Sequence, residues 1–341
     1  MALWTLTLVV ALLAGFGGGW YLKPTASNLK AVTFGLDWLP GGTHSVFYTA
    51  LDKGFYAEEG LAVTILRGYG SGDTATKVDT GKLDFGYADS TVSLIARGRG
   101  ANLTLVGMFF HKGISGVRYV LGTGINAPID LQGKTIGTVE GDSSWVLFPA
   151  FAQINNINMS KINVVIMTSA LVTPALLGGQ IDFSPGTVTL FPLAEASAKQ
   201  AGKSLGKFVY SDYGLNWYSH SIIATQKMVA ENPDLVQRFI RATYKGIAYS
   251  IDNPDESISI LVKYNPDVNG TVERQVFDLT KAYMFDGLSD TEGLGHVNEA
   301  KMNATVNLVK QYFNVDPGNY KTVYTNQFVD LLPDASKFPL R

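Results

Sequence analysis

The chain has 341 residues, with 27 basic against 29 acidic side chains and a formal net charge of −2. At roughly 150 residues per domain this length fits two domains, and 46% apolar with 16% charged residues excludes a disordered chain. The near-zero charge excludes a generally basic nucleic-acid binder, and the absence of cysteine excludes disulfides, thiolate metal sites, cysteine nucleophiles and a lipidated N-terminal cysteine.

Ala2 to Tyr21 carries no charge, and Leu6 to Ala14 is apolar apart from Thr7. At about 20 residues the stretch is long enough to span a bilayer. It also suits a signal peptide, with Thr25-Ala26-Ser27 as a small-residue cleavage site. Residues 1–28 are therefore expected to be an anchor or an export signal ahead of a soluble body. From Leu29 short apolar strands alternate with helical stretches, the pattern of an α/β protein. Strands are expected at Val32–Leu36, Leu61–Leu66, Leu83–Tyr87 and Leu103–Met108. Between them helices are expected to open at His44, with Thr43 as cap, at Ser71-Gly72-Asp73, and behind Asp89 or Ser90. Beyond Val117–Leu121 the order repeats. A strand at Thr135–Val139 leads through Gly141-Asp142-Ser143-Ser144 into a helix, followed by Ile162–Ile166, a helix at Val172–Leu177 and a strand at Ile181–Ser184. After a strand at Ser221–Ala224 the chain turns helical. Asn232-Pro233-Asp234 and Asn253-Pro254-Asp255 each place a capping Asn before a Pro at the first helical position.

Leu36-Asp37-Trp38-Leu39-Pro40, His44 and the run Ala50-Leu51-Asp52-Lys53-Gly54-Phe55-Tyr56-Ala57-Glu58-Glu59-Gly60-Leu61 carry a family resemblance. Gly81-Lys82-Leu83-Asp84-Phe85-Gly86, Asp130-Leu131-Gln132-Gly133-Lys134-Thr135-Ile136-Gly137 and Glu231-Asn232-Pro233-Asp234-Leu235-Val236 extend it to roughly residues 32–261. Together they resemble the thiamine-pyrimidine-precursor and nitrate/sulfonate/taurine group of ABC-importer substrate-binding proteins. The resemblance implies a two-lobed, type II periplasmic-binding-protein fold of the α/β class, each lobe a sheet flanked by helices. Residues 29–117 plus 221–341 would form lobe 1 and 118–220 lobe 2, with crossings near Val117 and His220. It further implies an extracytoplasmic monomer that clamps a small-molecule solute by hinge closure and docks on an ABC permease with its cytoplasmic ATPase.

Asp37 and Trp38 end the first strand, at the cleft edge of an open α/β sheet. There Trp stacks on a planar ring and Asp accepts hydrogen bonds from an amino group; the alternative is a Trp packed under a loop. His44 and Tyr48 are one helical turn apart and are expected to share a face along the cleft floor, or to be a helix-start His and a core Tyr. Ser71, Asp89, Ser90, Asp142 and Ser143 stand at helix starts, where free N–H groups bind polar ligand groups and where Ser and Asp also serve as plain caps. Trp217 and Tyr218 precede the return crossing and are candidates for a lid or stacking pair.

Four scattered histidines without a His-x-x-x-His or Glu-x-x-His pair argue against a metal site, and neither a nucleophile elbow nor a phosphate loop is present. The family's fungal branch comprises pyrimidine synthases that consume a lysine-bound pyridoxal phosphate and their own histidine, with iron near a cysteine-rich stretch. Here the corresponding stretch reads Ala88-Asp89-Ser90-Thr91-Val92 and lacks that lysine and histidine. The expectation is therefore a chain that is not an enzyme and needs no cofactor or metal. Asp37, Asp89 and Asp142 occupy candidate cleft positions without an arginine, Arg118 being read as facing solvent at the crossing. Carboxylates with aromatics favour a planar or amine-bearing solute such as an aminopyrimidine; nitrate, a sulfonate or taurine is the alternative.

Overall fold

In the computed structural model, which describes residues 29–330 and Leu332, the expected apolar runs pair into two five-stranded sheets. The strands are β1 (Lys30–Gly35), β2 (Leu61–Leu66), β3 (Phe85–Asp89), β4 (Leu103–Met108), β5 (Ser115–Val120), β6 (Thr135–Thr138), β7 (Asn163–Ile166), β8 (Phe183–Thr187), β9 (Leu205–Val209) and β10 (His220–Thr225). The first sheet has the order β2-β1-β3-β10-β4 and the second β7-β6-β8-β5-β9. In the first, β1 lies parallel to β2 and β3, and β10 runs antiparallel between β3 and β4. In the second, β6 lies parallel to β7 and β8, and β5 runs antiparallel between β8 and β9. Each lone antiparallel strand adjoins a crossing: the chain leaves the first sheet after Met108, enters the second at Ser115, and re-enters the first at His220. The anchor or signal expected over residues 1–28 lies outside the described residues, among which no helix is long and apolar enough to cross a membrane.

The two sheets are built on one device used twice. Asp84 accepts from the Thr33 N–H at 2.7 Å and the Thr33 hydroxyl at 2.8 Å, pinning β3 beside β1. Asp182 accepts from the Thr135 N–H at 2.7 Å and so pins β8 beside β6. Two residues on, Gly35 and Gly137 leave room for the neighbour that precedes each Asp: a Cβ at either would lie 2.3 Å from Leu83 or Ile181. Only glycine permits that approach.

Strand β4 is buried along its whole length, as expected of a strand covered on both faces. Part of that cover is the helix Pro233–Asp252, whose stripe Leu235, Val236, Phe239, Ile240, Tyr244 and Ile247 is buried. Pro233 and Pro254 stand at first helical positions, but neither Asn232 nor Asn253 caps through its side chain. Asn253 turns back to the Tyr249 carbonyl instead, at 3.0 Å. Thr43, expected as a cap, bonds the Thr280 hydroxyl at 2.9 Å, because the chain first makes a 3-10 turn at Gly42–His44 before the helix Ser45–Asp52.

Phe239 is the centre of the first core. It stacks on Phe85 with centroids 4.1 Å apart, lies 5.4 Å from Tyr56 and meets Phe34 edge-on at 5.2 Å. Phe239→Ala should cost about 3–5 kcal/mol of folding stability, read as a lower urea midpoint with an unchanged slope. A loss below about 1 kcal/mol would mean that the cluster collapses around the deletion.

Candidate functional site

A cavity of about 370 Å³ lies between the sheets, within the size range of small-molecule pockets. Its first wall is built where the backbone leaves β1, from Asp37, Trp38 and Leu39, joined by His44, Tyr87 of β3 and His220 of β10. Its second wall comes from Arg118 of β5, Gly137–Val139 at the end of β6, Asp142 and Ser143 at the next helix start, and Thr187 and Thr189 after β8. The parallel strands β1 and β6 deliver Asp37, Trp38 and Gly137–Val139 at their C-terminal ends, where open α/β sheets place ligands, and the antiparallel β5 and β10 add Arg118 and His220.

Asp37 is the electrostatic centre. Its Oδ1 lies 2.8 Å from His44 Nε2 and its Oδ2 2.9 Å from His220 Nε2. Burial works against ionisation, but the charge and hydrogen bond of His220, joined by those of His44, hold the carboxyl well below the usual carboxylate range. For His220 the opposition is mirrored: burial disfavours the imidazolium, and Asp37, then Asp89 and Asp142, raise its pKa above the ordinary value. His220 Nδ1 lies 3.0 Å from the Ser219 hydroxyl, which donates to Asp89 Oδ2 at 3.0 Å. Tyr87 packs against both imidazoles, 5.6 Å from His44 and 5.0 Å from His220, and its buried hydroxyl has no partner among the described residues. Trp38 is half-buried and lines the cavity.

Of the residues singled out from the sequence, Asp37, Trp38, His44, Asp142 and Ser143 line the cavity. The other six do not. Tyr48 is buried against Tyr264, ring centroids 5.6 Å apart, because His44 closes a 3-10 turn and does not share a helical face with it. The Ser71 hydroxyl accepts from the Asp89 N–H at 3.0 Å. Asp89 accepts from the Thr91 and Val92 N–H groups at 2.9 and 3.1 Å, capping the helix Ser90–Gly98. Ser90 donates to Ser221 at 3.1 Å. Trp217 and Tyr218 are fully buried in the second core, and the Tyr218 hydroxyl accepts from the Asn298 N–H at 2.8 Å.

Arg118 corrects the expected polarity. It does not face solvent at the crossing, because β5 is an inner strand and sets Arg118 opposite Ser184, to whose hydroxyl its Nε donates at 3.0 Å. Burial lowers its pKa and the Asp142 charge raises it, while burial raises Asp142 against the Trp145 N–H and Arg118. The cavity thus holds Asp37 on one wall, and Arg118 with the Asp142 carboxylate near it on the other. Tyr87, Arg118 and His220 were missed because each sits mid-sheet on a strand whose neighbours are distant in sequence.

The NMT1/THI5-like family model matches residues 42–257. The chain belongs to that family. It is 26% identical over 313 residues to a protein of Aspergillus parasiticus named 4-amino-5-hydroxymethyl-2-methylpyrimidine phosphate synthase, covering 89% of each chain. It is 22% identical over 275 residues to the formylaminopyrimidine-binding protein of Halalkalibacterium halodurans, covering 79% of this chain and 82% of that one. The periplasmic nitrate-binding protein NrtA from Synechocystis PCC 6803 superposes with a TM-score of 0.64 at 12% identity, over 92% of its length and 91% of this chain. Other neighbours in fold are titled ligand-binding components of ABC import systems or sulfonate-binding proteins. The α/β fold of two helix-flanked sheets expected from the sequence is therefore the one this NMT1/THI5-like chain adopts, and it is the periplasmic-binding-protein fold. The expectation that the chain is not an enzyme is overturned. Several relatives that match most of its length are named as pyrimidine phosphate synthases, so family membership spans binding proteins and enzymes alike.

The Asp37–His220 pair makes stability depend on pH in both directions. The lowered Asp37 contributes stability that is complete above the ordinary carboxylate range and lost as pH falls through its folded value. The raised His220 contributes stability that is complete below about 6.5 and lost as pH rises through its raised folded value. Urea midpoints should therefore decline as pH rises above about 6.5, and His220→Gln should flatten that decline. An unchanged alkaline slope in the variant would place the titration elsewhere.

Proposed function

We propose that this chain binds a small, planar, amine-bearing solute of the aminopyrimidine class between its lobes and hands it to an ABC importer. In this reading lobe 1 comprises residues 29–117 and 221–341 and lobe 2 residues 118–220. The chain works as a monomer on the outer side of the cytoplasmic membrane, with residues 1–28 as anchor or export signal. The observation that carries the reading is the Asp37 carboxylate, fixed between His44 and His220, with Asp37 and the half-buried Trp38 both lining the cavity. A carboxylate accepts from an exocyclic amine, and an indole stacks on a planar heterocycle. Arg118 on the opposite wall donates to a ring nitrogen or an oxygen substituent, so closing the lobes completes the contacts. The name of the Halalkalibacterium halodurans relative, a formylaminopyrimidine-binding protein, supports the same class.

A thermal-shift series with 4-amino-5-hydroxymethyl-2-methylpyrimidine, taurine, an alkylsulfonate and nitrate tests the solute class. The pyrimidine should raise the melting temperature, with about 2.7 kcal/mol of stabilisation at 100 times its dissociation constant. Trp38→Ala should weaken binding by about 1–3 kcal/mol, on the scale of a stacked aromatic contact, while leaving the urea midpoint within about 1 kcal/mol of the parent. Arg118 gives a second reading its footing, since a guanidinium pairs with planar and tetrahedral anions. Stabilisation by nitrate or the sulfonates and not by the pyrimidine would establish that reading in place of the first.

A further inference from the structure

Outside the mouth of the cavity the two walls touch backbone to backbone. The loop after β2 folds back along the end of β1: the Gly68 N–H donates to the Trp38 carbonyl at 2.9 Å, and the Gly70 N–H to the Asp37 carbonyl at 2.8 Å. Across the cleft, the turn after β6 is closed by the Asp142 N–H donating to the Val139 carbonyl at 3.2 Å. Gly70 and Gly141 meet where these loops face each other. A Cβ on Gly70 would lie 2.4 Å from the Gly141 carbonyl oxygen, and one on Gly72 would lie 3.9 Å from Gly141 Cα. Gly70 has φ +117° and Gly141 φ +77°, conformations that glycine adopts without strain.

We propose that Gly70 and Gly141 form an interlobe latch that sets how closely the lobes approach and therefore how tightly a bound solute is held. This inference rests on the reading that the solute lies between the lobes. Each half of the latch is tied to its own wall. Gly70 is hydrogen-bonded to the backbone of Asp37, and Gly141 immediately precedes Asp142 and Ser143, which line the cavity. Lobe separation breaks the contact between the loops and leaves the hydrogen bonds within each loop intact. At this point of contact main chain meets main chain, without the thickness of a side chain between. A methyl group on Gly70 stops closure early and leaves Arg118 short of a solute seated on Asp37.

Two measurements test the latch. Because the chain contains no cysteine, Gly72→Cys with Gly141→Cys creates a single thiol pair, and mild oxidation should join it within one chain. Gly72→Cys with Gly81→Cys is the control and should stay reduced, since Gly81 follows the far end of the helix Ser71–Asp79. Gly70→Ala should weaken binding of 4-amino-5-hydroxymethyl-2-methylpyrimidine by about tenfold, through faster release. Gly81→Ala, also left-handed at φ +72° but with nothing within 4 Å of its Cβ, should bind as the parent does. A folded 72/141 cysteine pair that resists oxidation, or parental affinity in Gly70→Ala, overturns the latch. If the pyrimidine fails to bind the parent, the solute class is wrong, and the crosslink still reads the latch by itself. If the double-cysteine variant is misfolded by circular dichroism, the Gly70→Ala and Gly81→Ala affinities decide.

Discussion

A carboxylate fixed between two imidazoles organises this molecule. Asp37 stands where β1 ends, His44 closes the 3-10 turn that follows, and His220 opens the strand on which the chain returns from the second sheet. One side chain therefore joins the first strand, the turn that starts the next helix, and the far end of the interlobe excursion. The arrangement is costly to break. Loss of one partner would leave charge buried among Tyr87, Phe47 and Phe109, and such changes typically cost about 3–5 kcal/mol. Ser219 and Asp89 extend the network to the cap of the Ser90 helix, so the orientation of His220 is set from both of its nitrogens.

The second lobe repeats the first in outline and departs from it in charge. Thr33, Gly35, Leu83 and Asp84 find their counterparts in Thr135, Gly137, Ile181 and Asp182; both sets share the threonine N–H to aspartate bond and the close glycine approach, and the first adds the Thr33 hydroxyl. This common unit explains why both walls present the C-terminal ends of parallel strands to one cleft. What each unit carries there differs. The first wall carries the Asp37 centre and Trp38, whereas the second carries Arg118, Asp142, hydroxyls and the start of the Ser143 helix. In the proposed reading a solute would meet the Asp37 acceptor on one side and the Arg118 donor, with Asp142 near it, on the other.

Legibility in the sequence followed locality. Strands and helices were readable from apolar runs, Pro at first helical turns and Gly at their ends, and the repeated order of elements foreshadowed two sheets. Asp37, Trp38, Asp142 and Ser143 were findable because each follows a parallel strand directly. Asp89, Ser90 and Ser71 follow the same local rule, yet their polar atoms are consumed by capping and by each other's neighbourhood. Nothing local separates a cap that faces a ligand from one that faces the core. Arg118 and His220 fail for the opposite reason. Their roles depend on Ser184 and Asp37, 66 and 183 residues away, and a strand's facing partner is not written in its own residues. Family resemblance supplied the fold but not the chemistry, as the synthase-named relatives make plain.

The side-chain bonding pattern says what the two histidines do. His220 has Nε2 against Asp37 and Nδ1 against Ser219, and His44 has Nε2 against Asp37. Three of the four ring nitrogens are already committed within the protein, and the fourth, His44 Nδ1, is buried without a partner among the described residues. The imidazoles therefore hold the orientation of Asp37, and in the proposed reading the carboxylate is the group that would read the solute. Such a site is formed before anything enters it: the charge is compensated and the side chain is fixed by two hydrogen bonds. Little ordering then remains to offset the gain from a donor placed against Asp37, which is the general advantage of preorganisation. In that reading the adjustable part of affinity lies on the other wall, because Arg118 has a single side-chain hydrogen bond among the described residues, to Ser184, and would reach a solute only as far as the walls approach each other.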